Sequence, residues 1–363
     1  MERIRGIIKR IKPVDERFMQ ETQKRLDSLT KPIGSLGRLE EFAKRITGIT
    51  RKNNPSLEKK VIFTFAADHG VAEEGVSAYP VEVTAQMVYN FLSGGAGINV
   101  LARHVGARVV VVDMGVAEKI KQPIRSMSTP KSKFENFKDR KINYGTGNMA
   151  KGPAMTKKEA LSSILAGVEV FEEELEKNGI DIAGIGDMGI GNTTAVSAIL
   201  AAITKARVKD VTGRGTGIDD TQLRNKIEVI KRALRVNRPD PTDPIDILAK
   251  VGGYEIGGLA GVVLVAAANK VPVVIDGFIS TVSALVATQL APLVKDYLFA
   301  SHKSVEIGHN IALREMDQRP MFDLKMRLGE GTGAALAINI IEAGVKILNQ
   351  MASFEEAGVS EKL

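Results

Sequence analysis

Near its C-terminal end the chain reads MRLGEGTGAALA (326–337), which sets one carboxylate, Glu330, between Gly329 and Gly331, with Gly333 close behind. An apolar helical run follows, from Ala334 to about Leu348. Glycines ahead of such a helix ordinarily turn backbone N–H groups toward a phosphate or carboxylate. A glutamate in that loop would repel the anion. It must face something else, and a proton to be removed is the chemistry that suits it.

A second glycine stretch, GIGDMG (184–189), satisfies G-x-G-x-x-G and leads into NTTAVSAILAAI (192–203). Alone this is a weak dinucleotide signal. The acid that should hold a ribose, Asp210, lies in ARVKDVTGRG, which does not read as a buried strand. Anion binding at this loop and helix N-terminus is the better expectation. Asn192, Thr193 and Thr194 either cap that helix or touch a ligand. In TGRGTGIDD (212–220) the paired acids follow glycines rather than a strand, so they read as a helix N-terminus facing its dipole rather than a Mg²⁺-diphosphate site. The chain has no G-K dipeptide and hence no Walker A loop. Its histidines, His69, His104, His302 and His309, show no H-x-x-x-H spacing, and no G-x-S-x-G is present, so zinc hydrolase and serine esterase chemistry are poor readings. His69 reads as a packing residue of a strand-end loop. Lys226, in the amphipathic RNKIEVIKRAL, reads by itself as a solvated charge.

These groups must be positioned by something. Four apolar, β-branched runs, at 59–71, 107–116, 180–189 and 270–278, lack the alternation of half-exposed strands. They fit strands buried on both faces, as in a parallel sheet, with helical patterns between them. Each ends in Asp and Gly, which puts Asp68, His69, Asp113, Asp187 and Asp276 at the carboxyl ends, where such sheets bind ligands. Ile4, Ile7, Ile8 and Ile11 mark a docking helix stopped by Pro13, and further helices cover about 14–29 and the segment 31–46. The polar stretch 121–142 reads as a long connection, and PDPTDP (239–244) as irregular.

The totals limit the partners. A length of 363 residues suits two domains or one large α/β domain with an appendage. Cysteine is absent, which excludes disulfides, thiolate catalysis and zinc–thiolate sites. The net charge of +7 is spread along the chain, aromatic residues are 5% and Trp is absent, which argues against nucleic acid and suits small anionic substrates. Residues 1–12 lack the apolar core of a signal peptide, and the longest apolar stretch, 258–268, is too short to span a bilayer. A cytoplasmic protein without a membrane partner is expected.

Together the motifs closely resemble the nicotinate-nucleotide–dimethylbenzimidazole phosphoribosyltransferase family, from about residue 20 to about 350. The matching stretches are KPIGSLGRLE, ADHGVAEEGVSAYP, VTAQM, GTGNMAKGPAM, GDMGIGNTT, TGRGTG, KVGGYEIGGLAG, DGFIS, Ser301-His302 and MRLGEGTGAALA, in the family's order. The resemblance implies an α/β fold: a Rossmann-like large domain (59–310) with a mainly parallel sheet, and a small helical domain from both chain ends (1–58 and 311–363) that contributes the G-E-G loop. It implies transfer of the phosphoribosyl group of nicotinate mononucleotide to a benzimidazole-type base, with Glu330 as general base and with no metal or cofactor. It places Asp187, Gly189, Asn192, Thr193, Lys226, Ser301, Gly329 and Gly331 around the nucleotide, and Tyr79, Gln86 and Met87 around the base. Asp187 stands where the family has glutamate, which puts a direct role for that side chain in question. Tyr79 either stacks on the base or only lines its pocket. The family is homodimeric. Two other readings stay open: a catalytically weak or partner-dependent nucleotide-binding relative, and a nucleotide-binding oxidoreductase suggested by GIGDMG.

Overall fold

The computed structural model describes residues 1–121 and 136–360. Most of the polar stretch read as a long connection lies outside the described residues. Six parallel strands form one sheet: β1 (Lys60–Ala67), β2 (Arg108–Gly115), β3 (Phe137–Asp139), β4 (Ile182–Met188), β5 (Val273–Ile275) and β6 (Leu298–Ala300), in the order β3-β2-β1-β4-β5-β6. The four apolar runs supply β1, β2, β4 and β5, and β1 is buried at every position. β3 and β6, three residues each, are too short to show a pattern of their own.

The N-terminal helices are α1 (Glu2–Arg10), α2 (Glu16–Ser28) and α3 (Arg38–Thr50). Then come α4 (Glu82–Ser93), α5 (Gly97–Val105), α6 (Lys157–Asn178), α7 (Asn192–Thr204), α8 (Val208–Val211), α9 (Asp220–Asn237) and α10 (Pro244–Val251). The series closes with α11 (Tyr254–Ala268), α12 (Phe278–Leu290), α13 (Ile307–Glu315), α14 (Thr332–Gln350) and α15 (Phe354–Ala357). No described helix is long and apolar enough to cross a membrane. The apolar stretch at 258–268 forms the later part of α11, buried from Gly258 to Ala267.

Strand alternation decides which helix lies on which face. Phe63 of β1 packs against Phe171 of α6, and Phe65 lies against Gly258 of α11. Ile62 and Thr64 point the other way, toward the loop and helix at 329–338. So α6 and α11 cover one face and α14 the other, where it also packs on α3 and α5. The apolar stripe of α1 docks on α11, while α2, α3 and α14 share a separate small cluster of Leu26, Leu29, Ala43 and Leu348.

The sheet order reverses at β1, between β2 on one side and β4 on the other. A doubly wound sheet opens a ligand crevice at such a point. Here the G-E-G loop enters it. Thr64 and Gly186 are register partners on β1 and β4. The Thr64 hydroxyl donates to the Glu330 carbonyl (2.9 Å), and a Cβ on Gly186 would collide with the backbone of Glu330 and Gly331. Gly184 is likewise closed in by Ile62 and Ala334. The first two glycines of GIGDMG are therefore strand residues that admit a crossing loop rather than residues of a phosphate-binding turn. The sequence pattern fitted the motif because both solutions need a backbone without side chains.

Gly186→Ala is expected to lower the unfolding free energy by about 1–3 kcal/mol, the usual range for overpacking. Gly152→Ala, at a position where a Cβ meets nothing within 4 Å, is the control. Equal urea midpoints for the two variants would refute the role given to Gly186.

Candidate active site

The loop 329–331 is unusual in its backbone. Gly329, Glu330 and Gly331 all have positive φ, at 83°, 65° and 97°. Glycine adopts this region readily, but a glutamate there is strained by of order 1 kcal/mol or more, and such strain gathers at functional sites. Thr64 and the carbonyl of Asp187, which accepts from the Glu330 N–H (3.2 Å), hold the residue from both sides.

The N–H groups that this loop and the first turn of α14 expose do meet an anion, and it belongs to the chain. Asp276, at the carboxyl end of β5, accepts from Gly331 (3.1 Å), Gly333 (2.6 Å) and Ala334 (3.1 Å). Burial pushes the Asp276 carboxyl up, while His302, 3.8 Å away, and the three N–H groups draw it down. The Glu330 side chain is turned away to the start of α5, where Oε2 accepts from the Ile98 N–H (3.0 Å). The residue is only 3% exposed. Its pKa lies above the usual glutamate range, raised by burial, opposed by the Ile98 N–H and supported by the negative charge of Asp276.

A cleft opens beside this loop at the carboxyl ends of β4, β5 and β6. Its walls are Asp187, Gly189, Asn192 and Thr193 from the β4–α7 segment, Gly215 and Thr216 from TGRGTG, Gly277 to Ile279 at the start of α12, and His302, Ser304, Glu306, Arg327, Leu328 and Gly329. The N-terminal turns of α7 and α12 bring positive dipole ends to it, and Arg327 adds a full charge. Asp187 accepts from Asn192 Nδ2 (2.9 Å) through Oδ2, while Oδ1 is buried without a partner. Burial, then Asp276 and Glu255, hold its pKa well above the usual aspartate range. Asn192 and Thr193 do not cap α7, whose N-cap is Gly191. Thr193 instead accepts from the ammonium of Lys226 (2.7 Å). Lys226 is fully buried, so the solvated reading of that position fails. Its α9 face is covered by the TGRGTG loop and α7. Burial lowers its pKa to about 8, against the pull of Glu306.

The structure thus brings together Asp187, Gly189, Asn192, Thr193 and Gly329 in the cleft, with Lys226 beneath them; Glu330 and Gly331 follow Gly329 in the chain but are not part of the cleft wall. Ser301 is outside it: its hydroxyl is buried and donates to the Asp276 carbonyl (2.9 Å). Ser304, three residues on, takes the place in the wall. Tyr79 (54% exposed) and Gln86 face solvent and Met87 is half-buried, and none of the three lines the cleft. Ser304, Glu306 and Arg327 were not singled out in the sequence, where each looks like an ordinary polar loop residue. His69, read as a packing residue, is buried and also pairs with Glu255 at 2.6 Å. The acids of TGRGTGIDD behave as read: Asp219 caps α9, accepting from the Gln222 N–H.

A phosphoribosyltransferase family model matches residues 11–359. A nicotinate-nucleotide–dimethylbenzimidazole phosphoribosyltransferase of Geobacter metallireducens is 60% identical over 97% of this chain and 96% of its own length. One of Chloroflexus aurantiacus is 52% identical over the whole of both chains. A crystal structure of such an enzyme from Thermus thermophilus superposes with a TM-score of 0.87 at 42% identity, covering 96% of this chain and all of that one.

Lys226→Met replaces a buried cation with an apolar side chain of similar size. The wild-type lysine loses about 3 kcal/mol by being charged in the fold, taking 10.5 and about 8 as its two pKa values. That penalty is full below pH 8 and fades as pH rises to 10.5, because in that window the unfolded chain holds the extra proton. Lys226→Met is therefore expected to unfold at higher urea than wild type at pH 7, with the gap narrowing toward about pH 10. A variant less stable than wild type at pH 7 would contradict this.

Proposed function

The chain belongs to the phosphoribosyltransferase family matched above, and from that premise we propose how its residues carry out the family's reaction. The enzyme transfers the phosphoribosyl group of nicotinate mononucleotide to a benzimidazole-type base, a step of cobalamin nucleotide-loop synthesis. The products are nicotinate and the α-ribazole 5′-phosphate. The observation that carries the assignment of roles is the buried, strained Glu330 at the switch point, with its pKa raised and a cleft faced by two helix N-termini and Arg327 beside it.

The nucleotide lies in the cleft, with its phosphate toward the N-terminal turns of α7 and α12 and Arg327. The base enters from the side of α4 and α5, against Leu328 and the Glu330 carboxylate. Glu330 takes the N–H proton of the base as the lone pair of the other ring nitrogen attacks C1′. The C1′–nicotinate bond breaks as the new C–N bond forms, and its electron pair neutralises the pyridinium nitrogen. Displacement from the opposite side turns the β anomer into the α anomer. A carboxylate near C1′ also favours the oxocarbenium-like character of that centre. The raised pKa makes Glu330 a stronger base than a solvated glutamate.

Glu330→Gln should reduce base-dependent nicotinate release by about 10²–10⁴-fold, the usual contribution of a positioned base, and leave nucleotide affinity nearly unchanged. In the wild type kcat/KM should fall as pH drops through the raised Glu330 pKa, since only the ionised form accepts the proton. Chromatography of released nicotinate across pH tests both, and turnover in Glu330→Gln close to wild type would exclude Glu330 as the base.

A further inference from the structure

Opposite Asp187, the cleft wall holds a second carboxylate, Glu306, just before α13. It is 7% exposed, and its two oxygens differ. Oε1 accepts from the Gly215 N–H (2.9 Å), whereas Oε2 is buried without a partner. The fold makes room for it, because a Cβ on Gly213 would collide with this carboxylate. Across Gly215 stands the Lys226 ammonium. A Cβ on Gly215 would come within 3.2 Å of Nζ and 2.8 Å of the Thr193 hydroxyl. An ammonium has three donors, and Thr193 takes one of them.

The two buried charges attract each other, yet each is bonded elsewhere, to Thr193 and to Gly215. An oxygen left unpaired at a cleft wall calls for a donor, and a lysine with donors to spare calls for an acceptor. A sugar hydroxyl is both. A phosphate dianion is only an acceptor and would be repelled by Glu306, which is why the phosphate belongs nearer the helix N-termini and Arg327. We infer that Glu306 accepts a hydrogen bond from a ribose hydroxyl of the nucleotide and makes the enzyme selective for ribose over deoxyribose. This rests on the cleft being the nucleotide site.

The test is calorimetric titration of nicotinate mononucleotide and its 2′-deoxy and 3′-deoxy analogues into wild type and Glu306→Gln. Wild type should bind one deoxy analogue about 10–100-fold more weakly than the parent, since losing a hydroxyl leaves a buried carboxylate unpaired. Glu306→Gln should weaken the parent nucleotide by about tenfold or more, but that analogue by less than about threefold, so discrimination collapses. Glu306→Asp, which keeps the charge but withdraws it by one methylene, is read the same way if the amide variant lacks a cooperative unfolding transition. Equal weakening of all three nucleotides, or no discrimination in wild type, overturns the inference. So does tighter binding of the parent to Glu306→Gln, which would make Glu306 a competitor for the phosphate. Because the readout is binding, it stands apart from the transfer reaction. Absence of base-dependent nicotinate release in wild type would defeat the assigned chemistry and leave the binding comparison intact.

Discussion

The whole site depends on one close contact: the backbone of the G-E-G loop lying on Gly186, in the middle of a buried strand. The sheet admits a foreign segment there because β4 lacks a side chain at that position and its partner on β1, Thr64, offers a hydroxyl to the crossing carbonyl. The pairing of β1 with β4 runs on unbroken past the contact. Once the loop is seated, α14 has a fixed start, Asp276 has its three N–H donors, and Glu330 has one direction in which to point. Three successive residues at positive φ leave the loop little freedom of its own. The neighbours over-determine it, which is how a strained glutamate persists in a folded protein.

Around this contact the protein keeps several buried charges poorly neutralised. Asp187 and Glu306 each have an oxygen without a partner, and Lys226 is depressed in pKa because burial outweighs its attraction to Glu306. Such groups lower stability in the empty protein. The two acids line a single cleft and Lys226 lies just behind its wall, so the bonds they lack can be supplied together when a nucleotide with hydroxyl, phosphate and cationic ring enters. His69 and Glu255 make a useful contrast. They lie as deep, but at 2.6 Å the His69 ring meets Glu255 Oε1 directly, although Glu255 Oε2 is left without a partner.

Much of the fold was legible because parallel strands announce themselves as unbroken apolar runs, and their carboxyl ends as Asp and Gly. That was enough to place Asp187 and Asp276 at the ligand edge. The resemblance of motifs supplied the family and marked Glu330. What stayed hidden were long-range pairings. Nothing near Asp276 in sequence says that the N-terminus of α14, far along the chain, will use it as a cap. Lys226 sits in a helix whose charged pattern looks solvated, and it is the TGRGTG loop together with α7 that buries it. GIGDMG matches a dinucleotide pattern because a strand that must accept a loop and a turn that must accept a phosphate both need residues without a side chain. β3 and β6 were invisible for want of length.

The question posed by an acid between glycines is resolved by Asp276. Had the N–H groups of the loop and of α14 converged on Glu330, they would have stabilised its carboxylate, and a carboxylate so held is a poor base. The structure gives those donors to Asp276 instead. Glu330 is left with one N–H, from Ile98, which orients it. The negative charge of Asp276, close behind, then adds to burial in raising the Glu330 pKa. The glycines therefore serve two carboxylates with opposite needs. One is fastened by the helix N-terminus, and by being fastened it keeps the other basic.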